Sequence, residues 1–391
     1  MSDNQFLEQL EQTLSVILSP DSKAIKQATE QLKKQFYPNT GALPALIHIL
    51  QNSGNDGIKQ LAAVEAKKLI SKQWEKQDPS LQQQIRDSLL QFAFTYPSKN
   101  IRHSTARIVA AIADIDLPEK HWDGLLPALV SGAQNQQVQT REMATFIILC
   151  VLENFPLEWL GQTPSFLDLF GHTLQDSESI EVRTTSMSAL EVISSYIEED
   201  DKLIESLGDK FQNLLTVMIT ILKDSIGMGK QGSSASDPDF TKDMFTSFNS
   251  FVLLDMRLLG NHFFEIIKLM VDVMMASSLD NEIRDFALQT LIESVSYRKT
   301  KIIQAKLGPQ LVECALHVAC EADKDDVEAA LDSEDEENEN EEDDPASLAL
   351  HLINMLAINL PPQQVIQPVV KAAPAMLSSQ DPFERLSLIH I

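Results

Sequence analysis

Cys314, His317 and Cys320 stand three residues apart in LVECALHVAC, where soft metal ligands come nearest one another in this 391-residue chain. Two thiols and an imidazole are zinc-type ligands, but a closed structural site takes four. The other histidines, His48, His103, His121, His172, His262, His351 and His390, lie at no ligand spacing from a cysteine or from each other. The LVECALHVAC run is also apolar, so it reads as part of a packed helix, and no metal is expected. The sequence is read as lacking a GxGxxG fingerprint, a P-loop, a CxxC pair and an HExxH helix, so neither enzymatic activity nor a cofactor is expected. Three cysteines, counting Cys150, are too few and odd in number for a disulfide framework and point to a reducing, intracellular setting.

The densest chemistry is anionic. DSEDEENENEEDD (332–344) ends a segment, Glu321 to Asp344, with 15 acids and one lysine, which carries −14 of the net charge of −26. Such a chain attracts basic partners and repels nucleic acid and anionic membrane surfaces. The segment lacks the glycine-punctuated D-x-D-x-D-G loop of a calcium site. It has no apolar periodicity, so residues 321–345 are expected to form a disordered loop. The opening MSDNQFLEQLEQTL is acidic and shows neither a basic n-region nor an apolar h-region, so no signal peptide is expected there. The longest clean apolar run, FIILCVL (146–152), is far short of the roughly 20 residues of a membrane span.

Nearly all the rest reads at helical period. In IRHSTARIVAAIADI, Ile101, Thr105, Ile108, Val109, Ile112 and Ile115 recur three or four apart. The same helix type returns, with a branched aliphatic, a basic or polar residue and then small residues. Its leading positions are Ile25, Ile58, Ile101, Val138, Val182 and Ile283, with spacings of 33, 43, 37, 44 and 101. The long gap takes one more unit at 242–259, and a further helix covers 346–358. Partner helices are expected at 43–50, 81–94, 122–133, 165–174, 263–275 and 311–320. Two antiparallel helices per roughly 40–47 residues is the HEAT type of all-α solenoid, here about eight repeats plus the start of a ninth at 381–385. The Gly/Ser-rich stretch 224–240 is expected as a flexible loop. Lys59, Arg102, Arg183 and Arg284, beside leading aliphatics, are expected to link to acids of adjacent repeats.

Three stretches resemble the importin-β (karyopherin-β) family of nuclear transport receptors, and within it the importin subunit beta-4 type. They are IKQLAAVEAKKLISKQW (58–74), IRHSTARIVAAIADIDLPEKHWDGLLPAL (101–129) and LLGNHFFEIIKLMVDVMMASSLDNEIRDFALQTLIESVSYRKTKII (258–303). The resemblance runs from residue 6 to about 385 of a chain expected to be an amino-terminal fragment. It implies a monomeric receptor that shuttles between cytoplasm and nucleus. Such a receptor carries basic cargo such as ribosomal proteins or histones, contacts Phe-Gly nucleoporins, and releases cargo on binding Ran-GTP.

For the Ran contact the resemblance points to Gln31, Lys34, Lys67, Lys68, Arg102 and Arg107. For a second contact, with Ran or basic cargo, it points to Asp332, Glu334, Asp335, Glu336, Glu337, Glu339, Glu341, Glu342, Asp343 and Asp344. The implied organisation is 1–113 for repeats one to three, where Ran would bind, 114–320 for repeats four to seven with the first helix of the eighth, 321–345 for the acidic loop, and 346–385 for the second helix of the eighth repeat and the start of the ninth. The last residues, LSLIHI (386–391), back-translate onto a sequencing-adapter end and are expected to be a non-native tail. The rival reading is a HEAT scaffold subunit of a phosphatase or chromosome complex, which shares the repeat physics.

Overall fold

The computed structural model describes residues 3–154, 157–228, 238–321 and 344–377. Among them are 18 α-helices and no strand. The chain packs as two compact units, Met1–Ile193 and Ser194–Ile391.

The first unit runs α1 (Asp3–Ile17), α2 (Ser22–Gln31), α3 (Ala42–Asn52), α4 (Asp56–Gln73), α5 (Pro79–Thr95), α6 (Lys99–Asp116), α7 (Leu125–Ala133), α8 (Val138–Leu152), α9 (Thr163–Thr173) and most of α10 (Ile180–Glu198). Starts are written in short polar side chains. Asp21, Asn55 and Asp78 each accept from the free N–H groups of the turn they open, and Pro79 follows its cap directly. Helices pair as α1/α2, α3/α4, α5/α6 and α7/α8, and the second helices α4, α6 and α8 pack side by side. Small residues allow the close approach. A Cβ on Gly132 of α7 would come within 2.8 Å of Ala144 Cβ on α8. Leu50, Ala62, Ala66, Leu89, Ile108, Ile112 and Ile147 are buried between layers, each large aliphatic contributing about 1.5–3 kcal/mol. No single pair encloses its own core, so stacking is the source of stability.

The second unit continues with α11 (Asp201–Ser225), α12 (Pro238–Phe251), α13 (Met256–Leu259), α14 (His262–Met274), α15 (Asn281–Gln304), α16 (Gly308–Ala319), α17 (Pro345–Asn359) and α18 (Pro362–Leu377). Here α12 packs on α15 and α15 on α17, while α14 packs on α16 and α16 on α18. The layered helix pairs are those of a HEAT-type solenoid.

Several expectations change. Helices α1 and α11 were not expected. In α11 the buried residues Ile204, Leu207, Phe211, Leu215, Met218 and Leu222 keep helical spacing, but the helix lacks the leading-aliphatic pattern of the repeated type. The single helix expected over 242–259 is two. Asp255 caps α13 through the Arg257 N–H, and the guanidinium of Arg298 takes the carbonyls of Val252, Leu253 and Leu254. Arg298 itself leaves helical geometry, at φ −119° and ψ 23°, and kinks α15. Ahead of the ninth-repeat start expected at 381–385 stands α18; residues 381–385 and 386–391 lie outside the described residues, as does 229–237 of the loop expected at 224–240.

The basic residues beside the leading aliphatics mainly do something other than pair with acids. Lys59 Nζ donates to the carbonyls of Leu50 and Gln51 at 3.1 and 2.9 Å, and Arg102 donates to those of Tyr96 and Pro97 at 3.0 and 2.8 Å. Arg141 and Arg284 reach the same place in their own repeats, on Asn135 and Gln136 and on Met274. Each cation thus satisfies the free carbonyls that end the first helix of its own pair. Of the four residues expected to make an acid link, only Arg284 does so among the described residues, to Glu321; Arg141, which was not among them, also pairs with Asp176 and Glu178. No partner is found for the buried Arg183 Nε.

A buried polar knot ties the second, third and fourth pairs. Asp116, at the end of α6, accepts from Trp74 Nε1 and from Arg86 Nε, both at 2.8 Å. The Arg86 guanidinium lies over the rings of Trp74 and Trp122, 5.5 and 6.0 Å from their centroids. Asp116 is 2% exposed and Arg86 5%.

Candidate protein-binding face

The second helices of the first unit present a charged stripe. Lys99, His103 and Arg107 follow at four-residue steps on α6 and so share one face. Glu181, in the first turn of α10, receives both Lys99 Nζ at 2.7 Å and His103 Nε2 at 3.0 Å. His103 also stacks on Phe146 of α8, with ring centroids 4.1 Å apart. Arg107 lies over that Phe146 ring at 5.4 Å.

Burial alone would push the Glu181 carboxyl up, but hydrogen bonds from His103 and Lys99 and the charge of Lys99 outweigh it and hold the group below the ordinary glutamate range. A lowered folded value means stability that is present at neutral pH and is lost as pH falls from the ordinary glutamate range through the folded value. Glu181→Gln should therefore lower the first unit's stability at neutral pH and above and flatten its acid limb, the two curves converging as pH falls through the folded value. Urea titrations across the acid range check this.

Beside the stripe, Lys67 and Lys68 are exposed on α4. Lys68 bonds Glu65 at 2.7 Å, and Glu65 also accepts from the Tyr37 hydroxyl, whose proton loss burial and the nearby carboxylate push upward. Among the described residues Lys67 makes no ion pair. It acts at a distance on Asp114, whose carboxyl desolvation raises against the pull of Asn154 and Lys67. Burial pushes the Cys150 thiol up to about 12, against the pull of Arg107 and Lys67, so it is no nucleophile.

The expected Ran-contact residues therefore divide. Gln31 is half-buried at the end of α2, and Lys34 is exposed and paired with Glu30 at 3.0 Å. Lys67, Lys68 and Arg107 are exposed on α4 and α6. Arg102 must be withdrawn, because it is 6% exposed and its guanidinium caps α5. Of the acidic set, Asp332, Glu334, Asp335, Glu336, Glu337, Glu339, Glu341, Glu342 and Asp343 lie outside the described residues. Asp344 is described and is a helix cap, accepting from the Ser347 N–H at 2.6 Å at the start of α17.

Sequence reading missed His103, Phe146 and Glu181. The four-residue spacing of Lys99, His103 and Arg107 was a visible signal, whereas the acid that completes it lies 78 residues beyond His103. The reading that no GxGxxG occurs is also wrong as spelling, because GMGKQG occupies 227–232. It follows α11 rather than a strand, so the βαβ context of a dinucleotide cradle is missing. Among the described residues no group of three or more His, Cys, Asp or Glu could hold a metal, and no helix is long and apolar enough to cross a membrane.

Two family descriptions match the chain: "Importin-beta N-terminal domain" over residues 28–95 and "IPO5-like, TPR repeats" over 97–237. A probable importin subunit beta-4 of Schizosaccharomyces pombe is 33% identical over 390 residues, covering all of this chain and 34% of the relative. Importin-4 of Mus musculus is 23% identical, covering 96% and 34%. The chain thus spans about a third of the length of the curated relatives it matches. Crystal structures of Kap121p share the fold. The form bound to RanGTP and the form bound to Nup53p each superpose with a TM-score of 0.78 at 22% identity, over 99% of this chain and 36% of theirs.

Proposed function

The chain belongs to the importin-β family, and from that membership we propose that it is the amino-terminal part of a nuclear transport receptor whose second-helix face in the first unit docks Ran-GTP. The observation that carries the reading is the pair of exposed cations that make no ion pair among the described residues, Lys67 and Arg107, on neighbouring helices α4 and α6 of a chain with net charge −26. Cations left open in so acidic a molecule suit an acidic patch on a partner, and complementary charge speeds encounter. The RanGTP-bound state of Kap121p supports the choice of partner.

The acidic segment 332–344 is assigned the complementary role of drawing in a basic surface, on Ran or on cargo such as ribosomal proteins or histones. Phe-Gly nucleoporins are assigned to the first-helix side. There, a cleft of about 340 Å³ between α7 and α9 is floored by Leu126, Val130, Phe166 and Leu169. The receptor would act as a monomer that shuttles between cytoplasm and nucleus.

The acidic segment is tested by replacing 332–343 with a Gly/Ser linker of equal length. At about 0.05 M salt the affinity for Ran-GTP should fall on the order of tenfold, and at about 0.5 M, where the screening length is only a few ångströms, the difference should vanish. Equal affinity at both salts would make the segment a solvated spacer.

A further inference from the structure

Lys99, His103 and Arg107 share one stripe of α6, yet their partners differ in kind. Lys99 and His103 are both met by the carboxylate of Glu181 on α10. Among the described residues Arg107 is met by the face of Phe146 on α8 and by no acid within ion-pair distance. An aromatic face attracts a guanidinium without neutralising it, so it fixes the position of Arg107 and leaves its charge open. Asp114, seven residues on along α6, is exposed, bonds Asn154 at 2.9 Å and forms no ion pair with Arg107 among the described residues. Phe146 is itself stacked on His103, and His103 is held by Glu181. The link reaches from α10 to α6 past α8, further than the nearest-neighbour contacts that stabilise a solenoid.

We propose that Phe146 is a positioning residue, with His103 and Glu181 locking its ring, and that it holds Arg107 open as the docking cation for a carboxylate on an acidic partner protein. The identity of that partner as Ran-GTP rests on the function proposed above; the holding of Arg107 does not.

The test uses the full chain with Arg107→Gln, Phe146→Leu, Phe146→Tyr and the Arg107→Gln/Phe146→Leu pair. Leucine keeps apolar volume at 146, and tyrosine keeps the ring. At low salt, Arg107→Gln should weaken Ran-GTP binding about three- to tenfold, and Phe146→Leu should do nearly as much. The double variant should be no weaker than Arg107→Gln alone, and Phe146→Tyr should bind as the parent does. Additive losses, or no loss with Phe146→Leu, would overturn the proposal, because contacts that act through one another are non-additive.

A second readout needs no partner. The Arg107 Nε–Hε resonance should be distinct in the parent and should merge with those of exposed arginines in Phe146→Leu. A freely averaging Arg107 in the parent would overturn the proposal. A held Arg107 in a chain that does not bind Ran-GTP would overturn the partner and keep the platform.

Discussion

Asp116→Ala should cost the first unit about 3–5 kcal/mol, the size expected when one partner of a buried ion pair is removed. The substitution leaves the Arg86 guanidinium and the Trp74 indole N–H buried with no acceptor in place of two 2.8 Å bonds. For a unit of this size the melting point should fall on the order of 10 °C. Asp116→Asn keeps an acceptor for Trp74 but no charge for Arg86, so it should lie between parent and alanine. Of the three tryptophans, Trp74 and Trp122 flank Arg86, so tryptophan fluorescence during urea unfolding reads the site directly. A loss under about 0.5 kcal/mol, the range of ordinary surface substitutions, would mean that the knot does not hold these pairs together.

Lys67→Glu combined with Arg107→Glu should weaken Ran-GTP binding on the order of 100-fold at low salt, with most of the loss screened at high salt. Each reversal turns an attraction into a repulsion and adds to the net charge of −26 of a molecule already strongly acidic. The fold should persist with a small loss of stability, since neither residue takes part in an ion pair among the described residues and the Arg107–Phe146 contact is the main one given up. Lys34→Glu makes the contrasting control. Lys34 is exposed and already engaged with Glu30, so its reversal should cost only a few-fold. Equal losses from the control and the double variant would indicate a diffuse charge effect instead of a site on α4 and α6.

The fold was legible because its signals are local. Aliphatics at three and four residues gave the repeated helices, and Asp21, Asn55, Asp78 and Asp280 mark starts by a chemistry readable from one residue and the next few. Helix α11 is hard to read because it lacks the leading aliphatic and small residues of the repeated helix type. The break after Phe251 depends on Arg298, 47 positions on, whose guanidinium gathers three carbonyls.

The candidate face was legible in part. Lys67 and Arg107 could be placed, but Arg102 carries the same side chain as Arg107 and differs only in pointing at the end of α5, which no pattern of charges reveals. Glu181 and Phe146 became visible only when α6, α8 and α10 were side by side. A charge that folding leaves open is a tertiary property, set by which carboxylates fall within reach.

The most direct test of the account is the binding of this chain to Ran loaded with GTP and with GDP, measured side by side at low salt. The account predicts that the GTP form binds at least about 100-fold more tightly, a difference of about 2.8 kcal/mol. Equal affinity for the two forms, or binding to neither, would contradict it and leave the HEAT scaffold as the better reading.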